Sequence, residues 1–312
     1  DVPSPRAVVD EELARSKDAE SDEEEFVAAL RRARGAVMIA TGLGDVSGAI
    51  PDEDVPRTLG DLAETIVSKT FARVWKRPQG LAIVAMGKLG EGELGYGSDL
   101  DLFFVCEDDD ILEPAARATQ KLLKLLSIPH GEGPGYELDT RLRPSGNQGL
   151  LVVTIDAFER YHGMTCPPAA ADWERMALLR ARIVAGDLGL RTRIEKAQEH
   201  ALALPGPSPR YVHDLRIRMQ RERSHENVAE QIFDPKLGRG GYVDLEFLAQ
   251  WHALSAMTPS ERRKGTTCAL RSLEAHSGER NLVDDYAFLR TFERRLQLLD
   301  MKLYAPKDPR AT

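Results

Sequence analysis

Two aspartates separated by one residue follow a run of glycines in the middle of the chain. The segment reads MGKLGEGELGYGSDLDL over residues 86–102, with Asp99 and Asp101 near its end. Residues i and i+2 of a strand point to the same side, so a strand here would hold the two carboxylates side by side. Such like charges raise each other's pKa unless a cation separates them. Because Mg²⁺ prefers one or two carboxylates together with phosphate oxygens and water, the pattern predicts magnesium-assisted chemistry at phosphate.

The glycines before the two aspartates are suited to a phosphate-binding loop. Gly87 opens this loop and Ser98 closes it. Without a Cβ, glycine lets backbone N–H groups approach a triphosphate closely, and the Ser98 hydroxyl could donate to the same phosphates. Lys88 lies in the loop, where it could bind phosphate or simply be solvated. We therefore predict Gly87, Lys88 and Ser98 as nucleotide-binding residues.

A third acid, Asp139, lies in the segment YELDTRLRPSG over residues 136–146. If this strand lies beside the first, three carboxylates could hold two metal ions that clamp both oxygens of an in-line displacement at phosphorus. Arg141 and Arg143 follow at strand spacing, and a guanidinium suits bidentate binding of phosphate oxygens. Two alternatives stay open: Asp139 could instead pair with Arg141 or Arg182, and the arginines could only brace the sheet.

Helical and strand patterns alternate around these residues. Ser21 and Glu24 have capping-box spacing, which predicts a helix near 22–41. Thr58 opens a second predicted helix that ends at residues 78–80. Short apolar runs and apolar periodicity predict the remaining elements: strands at 81–86, 99–105, 136–142 and 150–154, and a helix near 113–126. The middle third therefore predicts an α+β unit with a small sheet.

The two ends of the chain have different patterns. The first twenty residues are charged and contain proline, which indicates a frayed lead-in. From Ala157 onward we expect almost only helix, interrupted by the stiff linker PGPSP at 205–209. Apolar residues spaced by three or four predict a long amphipathic helix from Leu282 to Leu303. We expect three parts: a helical lead-in packed on the catalytic domain (1–78), the catalytic domain (79–204) and a helical bundle (205–312).

Composition excludes several classes of protein. The 312 residues include 42 Lys and Arg against 50 Asp and Glu, a net charge of −8. An acidic chain is a poor candidate for broad nucleic-acid binding, which needs clustered cations. The longest wholly apolar run has six residues, far below the ~20 that a membrane helix needs. Three scattered cysteines indicate reduced thiols, and no export signal is visible, so we expect a cytoplasmic protein without a membrane partner.

Four ordered blocks carry a resemblance to a known family. They read GKLGEGELGYGSDLDL (87–102), YELDTRLRPSG (136–146), WERMALLRARIVAGD (173–187) and FDPKLGRGGYVDLEFLAQ (233–250). In amino-acid sequence and in order they resemble the signature blocks of the glutamine synthetase adenylyltransferase family. The resemblance covers roughly residues 22–305. The glycine loop with its Asp-x-Asp and a later single Asp is also similar to the wider DNA polymerase β-like nucleotidyltransferase superfamily.

The resemblance implies a fold and a chemistry. The fold would be α+β: a polymerase β-like nucleotidyltransferase domain with a small mixed or antiparallel sheet, followed by an all-helical bundle. ATP would be the substrate and two Mg²⁺ ions the cofactor, held by Asp99, Asp101 and Asp139. These three would be the catalytic residues, with Asp139 as candidate base for a tyrosine hydroxyl. Glutamine synthetase would be the protein substrate, and a PII-type signal protein a partner of the full-length protein.

Members of this family carry two homologous catalytic halves, and only one is present here. One half adds AMP to a tyrosine of glutamine synthetase and the other removes it by phosphorolysis to ADP. Three short motifs are similar to the adenylylating, C-terminal half: GYG before Ser98, LLRAR at 178–182 and VDLEF at 243–247. The alternatives are the deadenylylating half, a degenerate nucleotide-binding regulatory module and an RNA-tailing nucleotidyltransferase.

Several other residues have two interpretations each. The family usually has GGWEL where this chain has GEGEL, and the additional acid, Glu91, could weaken phosphate binding or face solvent. The turn Gly238–Gly241 could bind an anion at a helix N-terminus or serve as a tight turn with positive φ. The remaining candidates are Trp173, Glu174, Arg180 and Arg182 on one helix (brace or substrate pocket), Arg216, Arg218, Arg221 and Arg223 (solvated face or docking surface), and Asp244 and Glu246 (ion-paired or functional).

Overall fold

A computed structural model describes residues 4–16, 18–77, 79–144, 146, 149–226, 233–278 and 280–298. They fall into two compact units: an α/β unit of residues up to 94 together with 98–201, and a helical unit of residues 95–97 and from 202 onward. Across these ranges, no helix is both long enough and apolar enough to cross a membrane.

The α/β unit contains eight helices and five strands among its described residues. In chain order they are α1 (Pro5–Arg15), α2 (Glu23–Ser47), α3 (Asp54–Val74), β1 (Leu81–Ala85), α4 (Gly87–Gly90), β2 (Leu100–Cys106), α5 (Leu112–Ser127), β3 (Leu138–Asp139), β4 (Val152–Thr154), α6 (Ile155–Tyr161), α7 (Asp172–Leu178), β5 (Arg182–Gly186) and α8 (Leu188–Ala203), the last ending at the boundary of the unit. The described part of the helical unit contains α9 (Pro209–Arg223), α10 (Tyr242–Ala256), α11 (Thr266–Ser277) and α12 (Leu282–Leu298).

The five strands form one mixed sheet around β2. Strand β2 pairs antiparallel with β1 and parallel with both β3 and β4. On its other edge β1 pairs antiparallel with β5, where Ala85 is opposite Arg182. The α+β prediction with a small mixed sheet and a helical C-terminal part is confirmed.

The core of the α/β unit lies on both sides of this sheet. All five residues of β1 are buried, as the apolar run at 81–86 predicted. Helices α3 and α5 pack against the sheet and against each other, and Ile66 of α3 and Leu126 of α5 are fully buried. Helix α6 contacts β2, where the rings of Phe103 and Phe158 stack with centroids 5.7 Å apart. Burial of such side chains contributes about 1.5–3 kcal/mol each, so this core holds the strands in register.

Strand β5 contradicts the expectation of almost pure helix beyond Ala157. The run RIVAG at 182–186 is too short to show a period, and its partner β1 lies about a hundred residues earlier in the chain. Only three residues separate it from α7, so the local pattern continued the helix into it. Arg182 therefore lies on a strand and not on one helix with Trp173 and Glu174.

Within the N-terminal lead-in, Pro5–Arg15 forms a helix, contrary to the expectation that the lead-in is frayed. Helix α1 packs against α2 and α3, and Val9 is fully buried between them. Its charges take part in this packing: Asp10 pairs with Lys69, and Arg32 Nε lies 3.1 Å from Glu12 Oε2. The sequence pattern shows a charged segment, but it does not show that Lys69 and Arg32, on other helices, pair with Asp10 and Glu12.

Several element boundaries differ from their predictions. The N-cap of α2 is Asp22 rather than Ser21, because Asp22 Oδ1 accepts from the Glu24 N–H at 2.9 Å. Helix α3 begins at Asp54 instead of Thr58. Of the strand predicted at 136–142, only the two residues of β3 form a strand. The last two apolar positions predicted for the final helix, Leu299 and Leu303, lie outside the described residues.

The helical unit contains a buried hydrogen-bonded network between α10 and α12. Tyr242 donates its hydroxyl to Glu293 Oε1 at 2.9 Å, and Tyr286 donates to Glu246 Oε1 at 3.2 Å. Arg290 Nη1 lies 3.5 Å from the same Glu246 oxygen. Burial, and then the charges of Glu293 and Glu246, raise the pKa of Tyr242 well above its ordinary value. Both tyrosines serve as hydrogen-bond donors, and Glu246 is ion-paired within the core.

Arg216 differs from a solvated member of a basic helix face. It is 5% exposed, its Nε lies 2.6 Å from Asp244 Oδ1, and it donates to the carbonyls of Leu237 and Gly238 at 3.0 Å. The expectation of a solvated face is wrong for this residue. Gly240 has φ +73°, and its N–H donates to Asp244 at 2.8 Å. The glycines before α10 thus form the tight turn that was one of their two interpretations.

Candidate active site

The three predicted acids meet at one end of β2. Parallel pairing places Asp101 opposite Asp139, and Asp99 directly precedes β2 on the same side as Asp101. Each of the three offers a carboxylate oxygen, and these oxygens all lie within 4.8 Å of one another. We call Asp99, Asp101 and Asp139 the acid cluster.

The chemistry of the acid cluster suits a hard divalent cation. Asp99 is exposed, whereas Asp101 and Asp139 are half-buried. Carboxylate oxygens are the ligands that Mg²⁺ takes in proteins, usually few in number, with phosphate and water completing the shell. Three carboxylates at this separation also repel one another, which a cation between them would relieve. The residues therefore fit the metal that the sequence predicted.

Arg141 makes a close ion pair with Asp139. Its Nε donates to Asp139 Oδ1 and Oδ2 at 3.0 and 2.9 Å, its Nη2 also contacts Oδ2, and its backbone N–H donates to Oδ1 at 2.8 Å. The hydrogen bond and charge of Asp139, and to a smaller extent the charges of Asp99 and Asp101, raise the pKa of Arg141. Asp139 thus lies in the acid cluster and is an ion-pair partner of Arg141, whereas its role as a metal ligand stays a prediction.

Arg143 makes contacts within its own loop. Its Nε donates to the Gly149 carbonyl at 3.3 Å, and its Nη1 donates to Thr140 Oγ1 at 3.1 Å and to the Thr140 carbonyl. These bonds hold the segment that follows β3. Arg141 and Arg143 are therefore not equivalent, although their strand spacing predicted the same role for both.

The glycine segment contacts the acid cluster directly through Gly87. This residue has φ +55°, and a Cβ on it would overlap Asp101 Oδ2. The backbone N–H of Met86 donates to the Asp101 carbonyl at 2.9 Å, which fixes the start of the segment against β2. We call residues 87–92, which comprise α4 and the two residues after it, the glycine turn. Lys88 lies in this turn and Ser98 directly precedes Asp99; both are half-buried.

Glu91 neither faces solvent nor carries an isolated charge. Its Oε1 lies 3.4 Å from Arg180 Nε, and both side chains are only 10% exposed. The expectation that Glu91 faces solvent is therefore wrong. Arg180 offsets its negative charge, which also removes the reason to expect weaker phosphate binding.

A small cavity lies next to Arg143 on the side of β2 that carries Phe103. Its volume is about 20 Å³, room for one water molecule. His162 lines it and is 3% exposed, and its Nδ1 has no hydrogen-bond partner among the described residues. Burial lowers the pKa of His162 to about 4, so the ring is neutral at pH 7. The histidine spacing in the sequence gave no signal for this position.

Trp173 and Glu174 also line this cavity, whereas Arg180 and Arg182 lie elsewhere. Glu174 accepts the Tyr161 hydroxyl at 2.8 and 2.9 Å and caps α7 by accepting the Ala171 N–H at 2.8 Å. Glu174 therefore acts as a structural brace of this wall. The four candidates that the sequence grouped together are divided by the fold into a cavity wall and a pair of arginines near the glycine turn.

Comparison with known proteins identifies the family. The model of the family described as glutamate-ammonia ligase adenylyltransferase matches residues 2–197. The chain belongs to this family. Among its relatives, the bifunctional glutamine synthetase adenylyltransferase/adenylyl-removing enzymes of Bordetella bronchiseptica and Bordetella pertussis are each 37% identical over 259 residues. The enzyme of the same name from Methylococcus capsulatus is 35% identical over 268 residues.

These matches cover most of this chain and a small part of each relative. The two Bordetella matches cover 78% of this chain, and the Methylococcus match covers 76%. The same matches account for 27% and 28% of the relatives' own lengths. The chain thus spans about a quarter of these adenylyltransferases. This fits the expectation that only part of a longer family protein is present.

Proposed function

We propose that this chain transfers AMP from ATP to a tyrosine hydroxyl of glutamine synthetase. The observation that carries the proposal is the acid cluster, built on two paired strands beside a glycine turn, in a chain of the adenylyltransferase family. The relatives are named for adenylylation and for adenylyl removal of glutamine synthetase, and both reactions act at the same phosphorus atom.

In this proposal the acid cluster binds Mg²⁺ and orients the reacting groups. Asp99, Asp101 and Asp139 would hold the ions, which supply charge neutralisation of the phosphates and polarisation of their oxygens. A tyrosine hydroxyl has a pKa near ~10, so it must lose its proton to a base as it attacks. Asp139 accepts that proton, and its bonds to Arg141 hold the carboxylate in place. The attack forms a bond from the tyrosine oxygen to the α-phosphorus and releases pyrophosphate.

The neighbouring residues bind the triphosphate. Gly87 brings backbone next to Asp101, and Lys88 and Ser98 flank the acid cluster along the chain. The Arg141 side chain is 59% exposed, so its guanidinium can reach a phosphate oxygen while it remains near Asp139. Arg143 supports the loop after β3, and we assign it an indirect contribution to triphosphate binding. A PII-type signal protein would act on the longer family protein.

The experiment is a transfer assay with this chain, glutamine synthetase, Mg²⁺ and α-labelled ATP. We expect label on a tyrosine of glutamine synthetase and release of pyrophosphate. Asp101→Asn abolishes the transfer, whereas the matched variant Asp110→Asn, in the exposed turn after β2, does not. Full activity of Asp101→Asn, or absence of label with the unaltered chain, would sink the proposal.

A second reaction, adenylyl removal, is favoured by the names of the relatives, which give both activities. In that direction an oxygen of inorganic phosphate attacks the phosphorus of adenylyl-tyrosine and forms ADP. The bond from this phosphorus to the tyrosine oxygen breaks, and tyrosine leaves with its hydroxyl reprotonated. Incubation with phosphate and adenylylated glutamine synthetase tests it directly. ADP without label transfer in the first assay would assign this chain to removal, and label transfer without ADP would assign it to addition.

A further inference from the structure

We propose that Arg182 is a positioning residue that holds the glycine turn against the acid cluster, with Glu64 as its support. The inference rests on the proposed function, in which the glycine turn binds the triphosphate of ATP. Arg182 contacts backbone carbonyls of the turn and a carboxylate of α3, so it acts on substrate through the turn.

The contacts of Arg182 link three segments of the α/β unit. Its Nε donates to the Gly90 carbonyl at 3.2 Å, and its Nη2 donates to the Leu89 carbonyl at 3.2 Å. The same Nη2 donates to Glu64 Oε2 at 2.6 Å. Both carbonyls lie at the end of α4, and the Leu89 carbonyl also accepts the Gly92 N–H at 2.9 Å. A cation at this end is also favoured by the alignment of the peptide dipoles.

The pairing of β5 with β1 places Arg182 where the glycine turn begins. Arg182 is opposite Ala85, the last residue of β1, and the turn starts two residues later. Gly90 makes direct backbone contact here, because a Cβ on it would overlap the Arg180 carbonyl. The Glu91–Arg180 ion pair adds a second connection between the turn and the segment that leads into β5.

Helix α3 holds the other side of the turn. A Cβ on Gly60 would overlap the Gly92 carbonyl, so the helix backbone touches the turn directly. The Leu94 N–H donates to the Pro56 carbonyl at 2.9 Å. Glu64 lies one helical turn after Gly60 on the same face. Arg182 therefore bonds at once to the turn and to the helix that packs against it.

The position of the turn matters because its first residue touches the acid cluster. Gly87 leaves no space for a Cβ beside Asp101 Oδ2, so a shift of the turn changes the distance between the phosphate-binding backbone and the carboxylates. A displacement of about 1 Å from a productive geometry can reduce an enzyme's rate by about a hundredfold. Loss of Arg182 would permit such a displacement without removing any group that contacts substrate.

The kinetic test compares Arg182→Met, Arg182→Lys and Glu64→Gln with a matched control, Arg193→Met. Arg193 is a half-exposed arginine of the same unit that pairs with Asp156 and Glu159, both at 2.6 Å. We expect Arg182→Met to lower kcat/KM for Mg·ATP by roughly 30-fold, mainly through a higher KM, because the turn binds the phosphates. Arg182→Lys recovers part of this loss, Glu64→Gln loses less, and Arg193→Met stays within twofold.

Hydrogen exchange tests the same inference without nucleotide. The amide groups of residues 90–94 donate to Met86, to residues within the turn or to Pro56, so their exchange reports how firmly the turn is held. We expect about tenfold faster exchange in Arg182→Met and no change in Arg193→Met. If the unaltered chain transfers no AMP, the proposed function fails. The hydrogen-exchange measurement still tests the role of Arg182, because it needs no activity. Unchanged exchange at residues 90–94 in Arg182→Met would overturn the inference. If Arg182→Met does not fold, unchanged exchange in Arg182→Lys and Glu64→Gln would overturn it.

Discussion

Two groups of acidic residues in this molecule have opposite surroundings. In the helical unit, Glu246 and Glu293 are buried, and each accepts a tyrosine hydroxyl. Arg290 adds a positive charge next to Glu246. In the α/β unit, the acid cluster brings three carboxylates within 4.8 Å at a partly exposed strand end.

The difference separates a structural role from a ligand-binding role. Buried carboxylates are tolerated when hydrogen bonds and an opposite charge satisfy them, as in the helical unit. Like charges placed together at an accessible edge work against folding, and the cation that we propose there would offset this repulsion. Acid substitutions should therefore affect activity in one unit and stability in the other.

The largest expected effect is the loss of activity in Asp101→Asn. The substitution removes one charge from the centre of the acid cluster while keeping the size of the side chain. We expect AMP transfer to fall at least about a thousandfold, which corresponds to about 4 kcal/mol of transition-state stabilisation. Steady-state transfer assays would measure it. Because one like charge is removed, the free energy of unfolding should stay the same or rise. A large loss of stability would contradict the distinction between the acid cluster and the structural acids of the helical unit.

Glu246→Ala should have the converse effect. Arg290 would keep its buried position, with its side chain 11% exposed, but lose the carboxylate that offsets its charge. Breaking one partner of a buried pair costs about 3 kcal/mol or more. Urea denaturation followed by fluorescence would measure this loss in the helical unit. Tyr286→Phe is the milder control, since it removes only the hydroxyl; equal stability of Glu246→Ala and the unaltered chain would show that the pair is not structural.

The sequence alone was sufficient to place Asp99 and Asp101 together, because the determinants of that pair are local. Alternation along a strand places Asp99 and Asp101 on one side, and the apolar run that becomes β1 is unambiguous. Asp139 depended on the assumption that its strand lies beside the first, which the parallel pairing of β2 and β3 confirms. The roles of these residues in binding metal and nucleotide stay predictions.

Contacts between distant segments could not be predicted in this way. Arg182 bonds to Gly90, 92 residues away in sequence, through a strand whose five residues carry no period of their own. The partner of Glu91 is equally remote, which is why solvent and phosphate seemed the only surroundings for its charge. The same holds for Glu12 and Asp10 of α1, which pair with Arg32 of α2 and Lys69 of α3. Local pattern identifies charged residues but not the element that neutralises them.

A pH-dependent effect of intermediate size should come from His162, a buried titratable group whose ring contacts the aromatic rings of Phe158 and Tyr161. Its pKa is lowered from 6.5 to about 4, so the unfolded chain binds more protons between these values. Stability therefore falls as the pH is lowered through this window, by about 2 kcal/mol between pH 7.5 and pH 5 from this group alone. His162→Phe should remove that part of the slope, measured by urea denaturation at both pH values. His200→Phe, at an exposed position, should keep it; an unchanged slope in His162→Phe would contradict the burial argument.

The smallest expected effect is stabilisation of the α/β unit by Mg²⁺. A ligand that binds only the folded state stabilises it by RT ln(1 + [L]/Kd), which is about 1.4 kcal/mol at a concentration tenfold above Kd. Thermal unfolding with and without Mg²⁺ would measure this shift, and EDTA should reverse it. Asp101→Asn should lose the response, because one of the three ligands becomes a neutral amide and the repulsion that the cation relieves is smaller. Glu246→Ala should keep the same increment on a less stable protein, since its substitution lies in the other unit. If both variants lost the stabilisation by Mg²⁺ equally, Mg²⁺ would be acting by general screening of charge and not by binding to the acid cluster. The acid cluster would then differ from the buried acids only in its exposure to solvent.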